Sequence, residues 1–328
     1  MPLDNARVQV DSEFATLRTV VVSRSEVRAP KDLATIGHRP PVPDSAQAEV
    51  AAIAGHDFGE AFPREQLRWE AERDNLAAVL RKHGVEVLRP RLLTDAEKAA
   101  GATTGYANFF VRDPWFTIGD NVIEGVLQFP HRRNEVLTSR ELLVEHVIPS
   151  AASYVALPTP AIPDPGTGAG PGPFLEGGDI LVLGKHIFVG ASGMATNAAG
   201  IEWLTKYLRP QGFIVTTVPL PAHVLHLDCA FGMVREGLLI SCPDRLPQGL
   251  PAPLEDWDQI HVSETEAEAM ATNGLPINPT TYILDPEFDR VAAALQFRGI
   301  TVELIDFTIS RTFGGAFRCS TQPLNRTD

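Results

Sequence analysis

An α/β fold made of repeated units is what this 328-residue sequence predicts, and three observations carry the expectation. Amphipathic helical stretches give way, after a glycine or short break, to apolar strand-like runs several times along the chain. Hairpin patterns lie between these copies. Each hairpin begins just after an acidic signature, so the signatures fall at comparable places in successive units.

The first copy is Leu76 to Arg81, then Lys82-His83-Gly84 and Val85-Glu86-Val87-Leu88-Arg89-Pro90. A weaker copy runs from Leu142 to Ile148 and on to Tyr154-Val155-Ala156-Leu157-Pro158. The next leads from Trp203 through Leu208 and Gly212 to Phe213-Ile214-Val215-Thr216-Thr217-Val218-Pro219, and the last from Val291 through Leu295 to Ile300-Thr301-Val302-Glu303-Leu304-Ile305-Asp306. Hairpins are expected at Trp115 to Ile118 with Val122 to Val126, Ile180 to Leu183 with His186 to Val189, and Phe231 to Val234 with Leu238 to Ser241. They follow Arg112-Asp113, Glu176-Gly177-Gly178-Asp179 and His226-Leu227-Asp228. If the units surround an axis, Asp113, Asp179 and Asp228 converge on it.

A plain dinucleotide-binding fold fits poorly, since no G-x-G-x-x-G follows a first strand and hairpins interrupt the crossovers. Residues 1–328 read as one domain with long loops near 28–63 and 158–173. The first loop carries a short helix near Ala46 to Ala54. The Pro/Gly-rich segment Pro158 to Pro173 resembles a linker, but the repeat continues on both sides of it.

Acidic side chains outnumber basic ones, 41 to 28, with no Lys/Arg stripe, so nucleic acid is not an expected partner and a small cation is. No apolar run is long enough to cross a bilayer, so no membrane partner is expected. The start Met1-Pro2-Leu3-Asp4-Asn5 lacks the pattern of a secretory or organelle leader, which points to the cytoplasm. Cys229, Cys242 and Cys319 show no C-x-x-C spacing, which argues against a disulfide framework and a structural zinc site.

His226 and Asp228 stand two apart in the strand-like run Val224 to Phe231, so alternation is expected to place both on one face. Alone, such a pair is more often structural, and no third metal ligand stands at useful spacing. Glu176-Gly177-Gly178-Asp179 sets two acids around glycines that permit close backbone approach. Cys229 and Cys242 fall in apolar runs and read as small core residues. Cys319 differs: Gly314-Gly315 precede it, Arg318 flanks it and Ser320-Thr321 follow, a polar setting for a thiol meeting a ligand. Carboxylates to grip a planar, permanently charged guanidinium, an imidazole to move protons and a thiol to attack its poorly electrophilic carbon form one coherent set. That set needs neither metal nor organic cofactor.

At Phe110-Val111-Arg112-Asp113-Pro114, Leu175-Glu176-Gly177-Gly178-Asp179, His226-Leu227-Asp228 and Gly314-Gly315 with Cys319, the chain resembles the guanidino-group-modifying superfamily of amidinotransferases, arginine deiminases and dimethylarginine dimethylaminohydrolases. The resemblance covers nearly the whole chain from Glu13. It implies a five-bladed α/β propeller, or pentein, of ββαβ-type modules with pseudo-fivefold symmetry and the site on its axis. By the same resemblance Cys319 is the nucleophile, His226 the general acid/base and Glu176 the carboxylate that orients the histidine. Asp113 and Asp228 grip the guanidinium, Asp179 is a further contact, and Arg245 matches an arginine that holds the substrate carboxylate in transferases. Arg318 is counted among the substrate-binding residues, and a homodimer is a family-level expectation. Glu176 and the run Arg318-Cys319-Ser320-Thr321-Gln322-Pro323-Leu324 look like hydrolases, as does Asn273 to Pro279, whereas Thr196 to Leu204, Cys242-Pro243-Asp244-Arg245 and Ser310-Arg311-Thr312 resemble transferases. The sequence favours a hydrolase of arginine-like guanidines; the alternative is amidino transfer to an amine such as glycine. A non-catalytic binding protein of the same fold is the third reading.

Overall fold

The computed structural model describes residues 7–31, 54–161 and 170–328. Within them five sheets repeat one plan: two antiparallel strands, then a crossover to a third strand parallel to the second. The unit at the chain ends joins Thr321–Arg326 to Leu17–Val22 and then to Glu86–Leu88, with the helix Pro63–Lys82 as its crossover. The next comprises Trp115–Ile118, Asn121–Glu124 and Ser153–Ala156, with helix Val136–His146. The third comprises Ile180–Leu183, His186–Ala191 and Ile214–Pro219, with helix Ala198–Leu208. The fourth comprises Phe231–Arg235, Leu238–Ser241 and Asp258–His261. Leu275–Asn278, Thr281–Leu284 and Thr301–Leu304, with helix Asp289–Phe297, complete the set. The sheets remain separate and touch through isolated bridges such as Val10 to Gly119 and Ser12 to Leu183.

Local chemistry explains these elements. Pro63 sits at the first position of its helix, where its missing N–H costs nothing. Asn197 caps the helix Ala198–Leu208 by accepting from Gly200 N. Gly212, at φ 81°, supplies the left-handed turn that releases the chain into Ile214–Pro219. One apolar cluster gathers Val20, Leu181, Phe188, Phe231, Leu239, Leu275 and Ile283 from four of the sheets, and burying each such side chain contributes about 1.5–3 kcal/mol.

The helices of the four repeat copies and the three hairpins are present, the helix of the weaker copy starting earlier, at Val136, than the expected Leu142. Three features differ. Val224 to Phe231 is not one strand: Leu227–Cys229 forms a 3₁₀ turn capped by His226, and the strand starts at Phe231. The fourth unit crosses over without an α-helix, using the short turns Pro243–Arg245 and Ala252–Leu254, because its prolines interrupt helical periodicity. A further hairpin, Leu275–Asn278 with Thr281–Leu284, was hidden by Pro276 and Pro279. All but the last residue of the helix expected near Ala46 to Ala54, and the middle of the 158–173 loop, lie outside the described residues. Among the described residues no helix is long and apolar enough to cross a membrane.

Candidate active site

Each functional side chain stands in a short turn just ahead of the first strand of a unit. Asp113 lies in the turn before Trp115–Ile118, Asp179 in Gly177–Asp179 before Ile180–Leu183, Asp228 in Leu227–Cys229 before Phe231–Arg235, and Cys319 in the turn before Thr321–Arg326. The repeat therefore sets the acids and the thiol at equivalent places, as the acidic signatures implied. A turn serves this purpose because successive residues point in different directions, so one side chain can face the site while its neighbours anchor the loop.

His226 is 2% exposed, and its Nε2 lies 3.0 Å from Glu176 Oε2. Its Nδ1 faces Asp113 Oδ1 at 3.9 Å. Burial alone would lower the pKa of the imidazole, but Asp113, the Glu176 hydrogen bond and Asp179 outweigh it and raise the value to about 10. Glu176 is held in place through its other oxygen, which accepts from Gln128 N at 2.8 Å. The glycine pair is a steric requirement: a Cβ on Gly177 would lie 2.0 Å from Arg112 O, and one on Gly178 would lie 2.5 Å from His226 Nδ1 and 2.9 Å from Asp113 Oδ1.

Cys319 is a free thiol, 3% exposed, with Sγ 3.6 Å from Asp228 Oδ2. Burial first, then Asp228 and Asp113, push its pKa well above the usual thiol value. Its carbonyl accepts from Arg112 N at 3.2 Å, tying the thiol's turn to the neighbour of Asp113. Phe109, Phe110 and Trp69 belong to the same apolar cluster as the cysteine.

Three of the residues expected to contact substrate have partners inside the protein. Arg318 donates to Glu13 through Nε and Nη2 at 3.0 and 3.1 Å, to Asp228 Oδ2 through Nη1 at 2.8 Å and to Ile180 O at 2.6 Å, so its guanidinium is committed to its own chain. Asp179 accepts from Leu227 N and Thr196 N and so fastens the His226 turn. Arg245 meets Glu264 through Nε and Nη2 and Cys229 O through Nη1, which fills the fork expected to hold a substrate carboxylate.

Asp113 and Asp228 each keep a partner as well. Asp113 accepts from Gly178 N and from Arg132 Nη2 at 2.9 Å, and Arg132 is also bound by Glu135. Sequence reasoning missed Glu13, Arg132 and Asn273. The last accepts the N–H of Cys319 and precedes Leu275–Asn278 by the same offset at which Cys319 precedes Thr321–Arg326, a signal visible once the repeat is aligned.

Asp113, Glu176 and His226 also bring one ligand atom each within 4.8 Å of one another, a spacing that could hold a metal ion. The expectation that His226 lacks a third ligand therefore fails, because folding supplies it from separate loops. With its imidazole raised to about 10 by the same acids, the trio also reads as a carboxylate-held proton donor.

A thiol, an acid-bound imidazole and two aspartates on equivalent turns of a repeated α/β fold define an enzyme that modifies guanidino groups. The arginine deiminase family model matches residues 107–272, just over half of the chain, and the chain belongs to that family. Inosamine-phosphate amidinotransferase 1 of Streptomyces griseus is 25% identical, with 98% of this chain and 97% of that protein covered. Among solved structures, SxtG, an amidinotransferase from Microseira wollei, matches at a TM-score of 0.78 and 20% identity over 98% of each chain. DDAH from Pseudomonas aeruginosa matches at 0.65 and 17% identity over 94% of this chain and 99% of that one.

Two outcomes follow. His226 rises from 6.5 to about 10 on folding, so the stability it contributes is complete below the lower value and is lost as pH climbs toward the upper one. The raised Cys319 thiol acts in the same direction. The urea midpoint is expected to fall between neutrality and about pH 10, and to fall less in His226→Asn; equal slopes in the two proteins would refute the assignment. Replacing Arg318 by alanine strands the buried acids Glu13 and Asp228 and is expected to cost about 3–5 kcal/mol in denaturant unfolding. A loss below 1 kcal/mol, the scale of a surface pair, contradicts the burial described here.

Proposed function

We propose that the protein is a cysteine-dependent amidinotransferase. The observation that carries the shared chemistry is Cys319 Sγ set 3.6 Å from Asp228 while His226 is held protonated by Glu176 and Asp113. On this reading the five units surround one axis as the blades of a single α/β propeller domain, with Asp113 and Asp228 gripping a small cationic guanidine. The entering cation offsets the negative potential of Asp228 and Asp113 that keeps the thiol protonated, so the thiol proton leaves to water and a thiolate forms. Sulfur then bonds to the guanidino carbon. The C–N bond to the departing amine breaks, and His226 gives that amine its proton. An acceptor ammonium first loses one proton to water; the free amine then attacks the carbon of the amidino-thioether on Cys319 and gives a second proton to the now neutral His226. The carbon–sulfur bond breaks, returning thiolate and a new guanidine.

Transfer is supported by the full-length likeness to Streptomyces griseus inosamine-phosphate amidinotransferase 1 and by the burial of Cys319, His226, Glu176 and Asp228, which limits water at the intermediate. Hydrolysis, with water as the second nucleophile, is the competing reading; Glu176, Arg318 and the arginine deiminase match favour it.

Acid quenching with arginine or a smaller guanidine is expected to trap the amidino group on Cys319 by intact mass, with no adduct on Cys319→Ser. A chase with a nitrogen-labelled amine is expected to carry the label into a new guanidine. Turnover at the same rate without any amine, with the nitrogen of water-derived products unlabelled, would select hydrolysis. Failure of every guanidine to label Cys319 would remove both readings.

A further inference from the structure

Three buried arginines bond to the residues around Cys319, and the fork of each is closed by a carboxylate of the protein itself. Arg318 pairs with Glu13 and Asp228, Arg132 with Glu135 and Asp113, and Arg245, anchored on Cys229 O, with Glu264. The third pair differs in burial. The Arg245 side chain is 6% exposed, much like its two counterparts, but that of Glu264 is 41% exposed, against 3% for Glu135 and 10% for Glu13. A carboxylate sealed beside its arginine cannot leave without stranding a buried charge. One that already meets water on its outer side can.

The fork has the geometry of a carboxylate site. Arg245 ends the turn Pro243–Arg245, and its Nη1 donates to Cys229 O at 3.0 Å. That leaves Nε and Nη2, the planar pair of donors that matches a carboxylate. Nε lies 3.0 Å from each oxygen of Glu264, and Nη2 lies 2.6 Å from Oε1. Glu264 comes from another segment, as the first residue of the short helix Glu264–Glu268. Its other neighbours hold it weakly: His223 Nε2 at 3.4 Å, on an exposed side chain, and Cys242 Sγ at 3.6 Å. Hydrogen bonds from Arg245 draw the Glu264 carboxyl below the usual range, so the occupant of the fork is an anion.

The fork is also joined to the groups around the sulfur. Cys229, which anchors Arg245, follows Asp228 in the chain and sets its Sγ 3.6 Å from Asp228 Oδ1, while Asp228 Oδ2 lies 3.6 Å from Cys319 Sγ. The exchangeable pair thus begins one residue beyond the aspartate nearest the thiol.

Resting on the reading of Asp113 and Asp228 as the grip on a guanidinium, we propose that Glu264 is a specificity-determining residue: an internal carboxylate held in the Arg245 fork, it sets the enzyme against guanidines whose tail ends in a carboxylate and in favour of those whose tail ends in an amine or a neutral group. A carboxylate tail that displaces Glu264 exchanges one arginine pair for another and gains little. One that does not displace it sets two like charges side by side. An amine or neutral tail meets neither cost.

Two measurements on the full chain test this. In the first, acetate is titrated against the protein and followed by NMR line width. Glu264→Ala is expected to bind acetate at least tenfold more tightly than the parent, and adding Arg245→Met is expected to abolish the gain. In the second, arginine is compared with agmatine, its decarboxylated counterpart. The parent is expected to favour agmatine in kcat/KM, and Glu264→Ala to raise the arginine-to-agmatine ratio at least tenfold, through the KM for arginine. A parent that favours arginine, or a ratio unchanged in Glu264→Ala, overturns the proposal. So does a raised ratio that survives the added Arg245→Met, because loss of a negative charge would then account for it without the fork. Acetate binding needs no guanidine: absence of the gain overturns the proposal whatever the turnover, whereas a gain in a protein that turns over neither guanidine counts against the proposed function alone. Should Glu264→Ala unfold, Glu264→Gln, which keeps the shape and drops the charge, supplies the same two readouts, and parental values in both refute the role.

Discussion

An arginine of the protein's own is the interaction on which the site depends. Arg318 lies buried with its donors spent on Glu13, Asp228 and the carbonyl of Ile180, and so ties together segments from three units. Burial would normally weaken a guanidinium's charge, yet Glu13 and Asp228 hold it well above its ordinary range. The same pairing, with Arg112 and Arg326 adding to it, draws Glu13 below the usual carboxylate range against the effect of burial. Buried carboxylates tolerate ionisation only when paired in this way. Arg132 does for Asp113 what Arg318 does for Asp228. These paired acids lie beside the Cys319 thiol, whose pKa burial and then Asp228 and Asp113 push up, an arrangement poised to change when another cation arrives.

Much of this was legible in the sequence. Hairpins at Trp115, Ile180 and Phe231 followed from alternation and turn residues, and the helices ending at Lys82, Leu208 and Phe297 followed from periodicity. Cys319, His226, Glu176 and Asp228 were singled out because their residue types make sense together, and folding sets His226 against Glu176 and Cys319 against Asp228. What escaped has a physical reason in each case. The His226 to Asp228 segment has the alternation of a strand, but its backbone bends into a 3₁₀ turn to meet Asp179, a tertiary contact that outweighs local preference. Glu13 and Arg318 are 305 residues apart, and no local pattern announces such a pair. The hairpin after Asn273 carries two prolines, which ordinarily argue against a strand.

Arg245 shows how resemblance and geometry divide the work. Position along the chain suggested an open fork for a carboxylate, whereas Glu264, itself partly exposed and within 3.4 Å of His223, already occupies it. A chain of contacts runs outward from Cys319 through Asp228, Cys229 and Arg245 to this surface pair. The side facing the sulfur is thus buried, while the outer end of that chain consists of long side chains that exchange partners at little cost.

The strand that follows Cys319, Thr321–Arg326, is the first strand of the unit whose second strand is Leu17–Val22, and Arg326 reaches back to Ala15 O across 311 residues. The sulfur is therefore delivered by the same event that stitches the two ends of the described chain together. Pairings this distant in sequence form late, since the intervening polymer must first be ordered. Arg318 meets Glu13 and Asp228 in the same closure, so the placing of the Cys319 thiol and the pairing of the acid beside it are completed together.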